Sequence, residues 1–401
     1  MEKEKVFSSF GVLPKEEMLE VKPNFKKLQI GIPKESSFQE NRVSLTPDSV
    51  GLLVVNGHTV IIQKGAGSAS NFLDNEYAKK GAEIVSSKEE VFQADFILKI
   101  EPPIKSEIAM MQDGQKLISA IQVSTQSDEY FNMVNKKRVC AFGFEFIEDN
   151  QNKLPIVRSM SEIAGNTSLL IAGEYLSNIN NGKGLMLGGI SGLSPTSVVI
   201  IGAGTVGEYA CRTALGLGAS VMVFDNSLSK LRRLQNNINQ RVSTSTLQPK
   251  VLWKALKRAD IVIAALKIGN EKVPCIVSED MVIDMKDGAV VIDVSIDQGG
   301  SFETSEITTH KKPMFIKHNV IHYCVPNIAS RVSRTASMAI SNILTPILLI
   351  IGEEGGVKNT IRRHECLRKG VYTFNGSLTN EILSKNFKLP FKDLDLIMST
   401  R

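Results

Sequence analysis

The stretch Ser197-Val-Val-Ile-Ile-Gly-Ala-Gly-Thr-Val-Gly207, followed by Asp225, most constrains what this chain can fold into. The apolar run Val198 to Ile201 reads as a buried strand that ends at Gly202. Gly202, Gly204 and Gly207 have G-x-G-x-x-G spacing, with Thr205 and Val206 between the last two. Glu208 to Leu217 reads as a helix, and a second apolar run, Ala219 to Phe224, ends on Asp225. Strand, glycine turn, helix, strand and acid in that order form a complete dinucleotide-binding unit. Gly202 makes the tight turn, Gly204 lets a pyrophosphate approach the backbone, and Gly207 lets helix and strand pack closely. The helix N-terminus offers free N–H groups to the phosphates. Asp225 would accept hydrogen bonds from ribose hydroxyls and repel a 2′-phosphate, which favours NAD over NADP. The bland alternative is a doubly wound domain that has lost its ligand.

The rest of the chain alternates in the same way. Leu28–Ile32, His58–Gln63, Asp95–Ile100, Lys116–Ile121 and Val139–Phe146 read as strands. Asp48–Val55, Asn75–Lys80, Lys88–Gln93 and Asp128–Asn135 read as helices between them, the first started by Thr46-Pro47-Asp48. A long helix is expected from Pro155 to about Asn180. Further strands are expected at Asp260–Leu266 and Ala289–Ile296, and another helix at Ser333–Ile351. The expected fold class is α/β: two doubly wound, Rossmann-like domains with a cleft between them. Residues 1–27 would be an N-terminal extension. Residues 28–155 and 335–401 would form a discontinuous first domain, and 156–334 the NAD-binding domain.

Composition narrows the function classes. With 401 residues, 22% charged and 42% hydrophobic, the chain reads as an ordinary globular protein. Its net charge of +5 comes without a basic run, so no nucleic-acid partner is expected. Arg362, Arg363 and Arg368 read as a solvated helix face. The apolar stretch Ile340–Ile351 is interrupted by Ser341, Asn342, Thr345 and Pro346, so no membrane span is expected. The first 27 residues lack the apolar core of a signal peptide. Cys140, Cys211, Cys275, Cys324 and Cys366 are scattered, which suggests reduced cysteines and a cytoplasmic setting. No metal-ligand spacing is present.

Several further segments together carry a resemblance. They are Gly31-Ile-Pro-Lys-Glu35 with Asn41-Arg42-Val43, Ala94-Asp-Phe-Ile-Leu-Lys-Ile100 and Met160-Ser-Glu-Ile-Ala-Gly165. Leu187-Gly-Gly189, Ile292-Asp-Val-Ser-Ile-Asp-Gln-Gly-Gly300, Tyr323-Cys-Val-Pro-Asn327 and Gly370-Val-Tyr-Thr-Phe-Asn-Gly376 continue the pattern. The chain resembles the alanine dehydrogenase family and, more distantly, the NAD-binding subunit of transhydrogenase. The resemblance implies reversible oxidative deamination of L-alanine to pyruvate and ammonium with NAD, in a homo-oligomer, commonly a hexamer. The implied partner is a small amino acid or 2-oxo acid.

By that resemblance, Arg42 binds the substrate carboxylate; a surface arginine is the alternative. Asp297 is the carboxylate beside nicotinamide and substrate; an acid capping the next turn is the alternative. Asn327 would lie near the same place, Ser161 would touch the cofactor, and Leu266 would line its pocket. Ordinary packing or turn contacts explain these three equally well. Two positions depart from the family pattern. Glu101 stands where the family has a lysine for the carboxylate, and Gln122 where it has the acid–base histidine. Glutamine can hydrogen-bond a carbonyl but cannot move a proton near neutral pH. Lys99 is a candidate to replace the lysine, or to pair with Glu101 on the same strand face. His322 is the spare histidine, with a satisfied core histidine as its alternative. These departures also leave open a dehydrogenase for another amino acid, and a non-catalytic NAD(H)-binding sensor or assembly subunit.

Overall fold

The computed structural model describes residues 25–37, 39–180, 182–267 and 272–399. The extension expected over residues 1–27 lies outside the described residues up to position 24. Lys26 donates its N–H to the Gly352 carbonyl, and Phe25 stacks on His58.

Two sheets organise the chain. The first holds β1 (Gln29–Ile32), β2 (Thr59–Gln63), β3 (Glu83–Val85), β4 (Phe96–Leu98), β5 (Lys116–Ser119) and β6 (Cys140–Gly143). The second holds β7 (Ser197–Ile201), β8 (Ser220–Phe224), β9 (Ser243–Ser245), β10 (Ile261–Ala264), β11 (Val290–Asp293), β12 (Met314–Lys317) and β13 (Val320–Tyr323). The chain then returns to the first sheet with β14 (Val371–Phe374) and β15 (Ser377–Leu378).

The first sheet runs β15-β14-β6-β5-β4-β1-β2-β3 and the second β12-β13-β11-β10-β7-β8-β9. Read from β3 and from β9, both have the 3-2-1-4-5-6 winding of a Rossmann sheet, parallel except at one edge. In such a sheet the crevice opens where winding reverses, at the C-terminal ends of the first and fourth strands. Those are β1 and β4 in one sheet, and β7 and β10 in the other.

The sequence signals that build these strands are continuous apolar runs, because helices cover both faces. Val198, Ile200, Val223, Ile261, Ile263, Val290 and Ile292 pack into one side of the second sheet. Val199, Ile201, Val262, Ala264 and Val291 fill the other. Several strands are shorter than the apolar runs suggested. β6 stops at Gly143 and β11 at Asp293, after which Val294–Gln298 coils into a 3-10 turn. Asp297 therefore sits in that turn rather than at a strand end. The three-residue strands β3 and β9 and the antiparallel pieces β12, β14 and β15 carry no long apolar run, and sequence patterning missed them.

The helix Ser333–Glu353 links the two sheets. Ile340, Leu344, Leu348 and Ile351 bury its apolar stripe in the core of the first sheet. Its serines face the loop after β1. Val43 N–H donates to Ser337 Oγ at 2.9 Å, and Thr46 N–H to Ser341 Oγ at 3.0 Å. Just before the helix, Ser330 Oγ accepts from Asn41 N–H at 2.9 Å. Loop N–H groups that lack a strand partner are thereby satisfied, and the segment carrying Glu40 and Arg42 is fixed.

Candidate active site between two Rossmann sheets

The glycine turn has the geometry a dinucleotide needs. Gly202 has φ 114°, and a Cβ there would stand 2.4 Å from the Ala265 carbonyl oxygen. A Cβ on Gly207 would stand 1.8 Å from the Gly202 carbonyl oxygen. Gly204 is different: a Cβ there would meet nothing within 4 Å. Open space over a glycine at the start of the Thr205–Gly216 helix fits a pyrophosphate on the helix N-terminus. The residues present therefore suit the cofactor. Thr205 and Val206 open that helix and are half-buried.

Asp225 follows β8 and is buried. Its Oδ2 accepts from Ala203 N–H at 2.8 Å and its Oδ1 from Ser227 N–H at 2.8 Å. The acid thus ties the end of β8 to the glycine turn. Leu266, past β10, donates its N–H to Ser295 Oγ at 3.0 Å. Ser161 lies on the Pro155–Leu176 helix, its hydroxyl donating to the Val157 carbonyl at 2.8 Å. Gly165 in that helix faces the Val206 carbonyl so closely that a Cβ would stand 2.5 Å away.

The polar centre forms where the strand ends of the two sheets meet. From the first sheet come Glu40 and Arg42 after β1, Glu101 after β4 and Gln122 after β5. From the second come Asp297 after β11 and Asn327 after β13. Arg42 Nε donates to Glu40 Oε1 at 2.8 Å and Nη2 to Glu40 Oε2 at 2.6 Å. Asn327 Nδ2 donates to Glu40 Oε2 at 2.8 Å, bridging the sheets. Arg42 Nη2 also lies 3.6 Å from Glu101 Oε1. Gln122 Nε2 donates to Glu101 Oε2. Asp297 accepts the Asn327 backbone N–H.

These contacts set the charges. Burial would raise the Glu40 carboxyl, but Arg42 beside it prevails and holds it down at about 2. Burial, a hydrogen bond to Glu40 and the Glu40 charge push Glu101 up to about 8 against the pull of Arg42. Asp297 is an exposed residue whose carboxyl is nonetheless crowded by protein. Lost hydration pushes it up to about 6, with the Asn327 N–H and Arg42 opposing.

Two residues of this centre hold left-handed backbones. Gln122 has φ 52° and ψ 58°, and Asn327 φ 57° and ψ 51°. Such conformations cost about 1 kcal/mol or more for a non-glycine residue and gather at functional sites. Glu145, after β6, holds the first by accepting the N–H groups of Ile121 and Gln122.

The expected pairing of Lys99 with Glu101 is corrected. β4 ends at Leu98, so strand alternation no longer governs the next residues. Lys99 is 1% exposed, with Nζ 2.7 Å from Glu35 and 3.4 Å from Glu107. Burial would lower its pKa, but these carboxylates outweigh it and raise it. Lys99 is a buried structural cation, and Glu101 answers to Arg42 and Gln122 instead. His322 is the satisfied core histidine: it is fully buried, 2.8 Å from Thr304 Oγ1, and stacked on Phe315.

Sequence reasoning missed Glu40, whose place two residues before Arg42 in an extended loop was the available signal. It also passed over His310, whose ring hydrogen-bonds the Asn327 backbone while Nε2 is buried without a partner. Among the described residues no cluster of metal-ligating side chains occurs.

Comparison with known proteins agrees with this geometry. The N-terminal domain of alanine dehydrogenase/PNT matches residues 31–164, and the corresponding C-terminal domain residues 168–381. Alanine dehydrogenase 2 of Staphylococcus aureus (strain USA300) is 36% identical over 92% of this chain and 99% of its own length. The alanine dehydrogenase of Methanococcus maripaludis is 39% identical over 90% of this chain and 97% of its own. A solved L-alanine dehydrogenase superposes with a TM-score of 0.83 at 32% identity, covering 90% of this chain and 99% of that one. A transhydrogenase from Sinorhizobium meliloti shares the fold at 22% identity, with a TM-score of 0.76 over 88% of this chain and 99% of that one. On these matches and this architecture, the chain belongs to the alanine dehydrogenase/PNT family.

Proposed function

We propose that the protein is an NAD-dependent amino-acid dehydrogenase that reversibly deaminates L-alanine to pyruvate and ammonium. The observation that carries this reading is one polar centre, drawn from both sheets, at the crevice that also holds the glycine turn. Relatives named alanine dehydrogenase at 36–39% identity support it. NAD is favoured over NADP because a carboxylate at Asp225, just after the second strand of the glycine-turn unit, would repel a 2′-phosphate.

Bound NAD supplies the hydride acceptor for the substrate α-carbon. The protein does the rest. Arg42 has Nε and Nη2 committed to Glu40, and Nη1 lies 3.4 Å from the soft Met160 sulfur. That Nη1 edge is the one left for a substrate carboxylate, which would displace a weak acceptor. Asp297 orients the reacting water or amine, and Gln122 offers an amide to the carbonyl. Asn327 fixes Glu40 from the opposite sheet.

The test is loss of NADH absorbance with pyruvate and ammonium, beside a calorimetric NADH titration. Turnover supports the reading. NADH binding without turnover, across a panel of 2-oxo acids with ammonium, favours a second reading: a cofactor-binding homologue with no dehydrogenase activity. Glu101 and Gln122 motivate that second reading. We also expect a homo-oligomer. Met186, Ile190 and Leu193 expose apolar side chains within one short stretch, as a subunit contact would require.

A further inference from the structure

Reversible deamination needs a group that gives and takes protons beside the substrate. Gln122 cannot do this, because an amide neither gains nor loses a proton by titration near neutral pH. What Gln122 does is donate to Glu101 Oε2. Glu101 is 7% exposed, hydrogen-bonds Glu40, and lies 3.6 Å from the guanidinium that would hold the substrate carboxylate. Two carboxyl groups hydrogen-bonded to each other require a proton on one of them, and Arg42 grips Glu40 as the anion. A cavity of about 270 Å³ opens onto Glu101 and Gln122, bordered also by Ser37, Lys105 and Gln126. It gives Glu101 a route for proton exchange with solvent.

We propose that Glu101, aimed by Gln122, is the catalytic residue that carries protons to and from the substrate. The proposal rests on the activity proposed above.

In deamination, the substrate ammonium first gives one proton to the Glu101 carboxylate, which passes it to solvent, and hydride then passes from the α-carbon to NAD, leaving the substrate as an iminium ion. Water adds to the iminium carbon as the Glu101 carboxylate takes a proton from it. Glu101 returns that proton to the amino nitrogen. The C–N bond then breaks while Glu101 accepts the hydroxyl proton, forming the carbonyl. Ammonia takes that proton and leaves as ammonium. In the reverse direction the Glu101 acid donates to the carbonyl oxygen. The charged groups facing Glu101 are Glu40, Arg42 and Glu35. Together with burial they place its titration at about 8, where both forms are accessible at working pH.

The experiment compares the full-length protein with Glu101→Gln and Glu101→Asp. NADH affinity, kcat/KM against pH for pyruvate with ammonium, and the infrared carboxylic-acid C=O band against pH are measured. Glu101→Gln should leave NADH affinity within about twofold. It should lower kcat/KM by roughly 10²–10⁴-fold, remove the pH-profile limb near 8, and remove the titrating band. Glu101→Asp should keep the limb at reduced rate. A Glu101→Gln enzyme within a few-fold of wild type, with the limb intact, overturns the proposal and leaves the proposed activity standing. A wild-type protein inert with every 2-oxo acid overturns both.

Discussion

The Arg42 guanidinium is clamped by Glu40, two residues away on the same loop, through contacts of 2.8 and 2.6 Å. Both side chains are at most 9% exposed. The arginine therefore reaches the cleft already oriented, with one edge held and one edge available. Asn327, from the opposite sheet, bonds the same carboxylate, so the clamp also ties the two sheets together.

Glu40→Gln should destabilise the protein. Removing one partner of a buried ion pair leaves an uncompensated charge and costs about 3–5 kcal/mol. The Glu40 pKa is depressed from 4.5 to about 2 by Arg42. Its stabilisation is therefore complete above pH 4.5 and is lost as pH falls toward 2. Urea unfolding at neutral pH and in acid should show the gap between wild type and variant narrowing in acid. A gap independent of pH would mean that the Glu40 charge is not what holds the loop.

Two glycine substitutions separate folding from cofactor binding. Gly207→Ala places a methyl 1.8 Å from a backbone oxygen, so it should unfold or severely destabilise the protein. Gly204→Ala meets nothing within 4 Å and should keep the wild-type melting temperature within about 2 °C. It should nonetheless weaken NADH binding at least about tenfold, since tenfold is only about 1.4 kcal/mol. Unchanged NADH affinity in Gly204→Ala would show that the pyrophosphate does not rest on this turn.

Asp225→Ser tests cofactor choice. A serine keeps an acceptor for the Ala203 or Ser227 N–H but removes the charge. NADH affinity should fall roughly tenfold and NADPH affinity should rise, each shift being of order 1–2 kcal/mol. Calorimetric titration with both cofactors measures it. If the NADH/NADPH preference is unmoved, Asp225 serves the turn alone.

The fold was legible because apolar strands and glycine turns are local signals. Both sheets and the cleft followed from strand–helix alternation, whereas β14 and β15, which return the chain to the first sheet, did not. Short strands at the sheet edges were not legible. Ile84 and Val85 in β3 and Met314 to Ile316 in β12 are apolar runs too short to announce a strand, and both strands hold their places by pairing at sheet edges. The site divided similarly. Arg42, Asp297, Asn327 and the glycines stand at motif positions. What each side chain bonds depended on contacts across the chain. Lys99 illustrates this, because its partners Glu35 and Glu107 lie on different segments. Reading it on the Glu101 face assumed a strand to Ile100, and β4 ends two residues earlier, at Leu98.

Ser337→Ala should loosen the Arg42 loop through Val43, without altering Arg42 itself. The Val43 N–H would lose its acceptor in a fully buried setting, at about 1–3 kcal/mol. Lower thermal stability should accompany a raised KM for the carboxylate substrate, with NADH affinity kept. A stability loss with an unaltered KM would show that the serine contacts on this helix do not position Arg42.

Glu101 should make stability depend on pH in the opposite sense to Glu40. Its folded pKa is raised from 4.5 to about 8. Between those values the folded protein retains a proton that the unfolded chain releases. Stability therefore falls as pH rises through this window, by at most about 1.4 kcal/mol per pH unit. Above pH 8 both states are ionised and the loss stops growing. Glu101→Gln removes the slope, so it should gain on wild type as pH rises from 5 to about 8 in paired urea titrations. Parallel pH profiles for the two proteins would show that Glu101 is ionised throughout, and that its contact with Glu40 does not hold a proton.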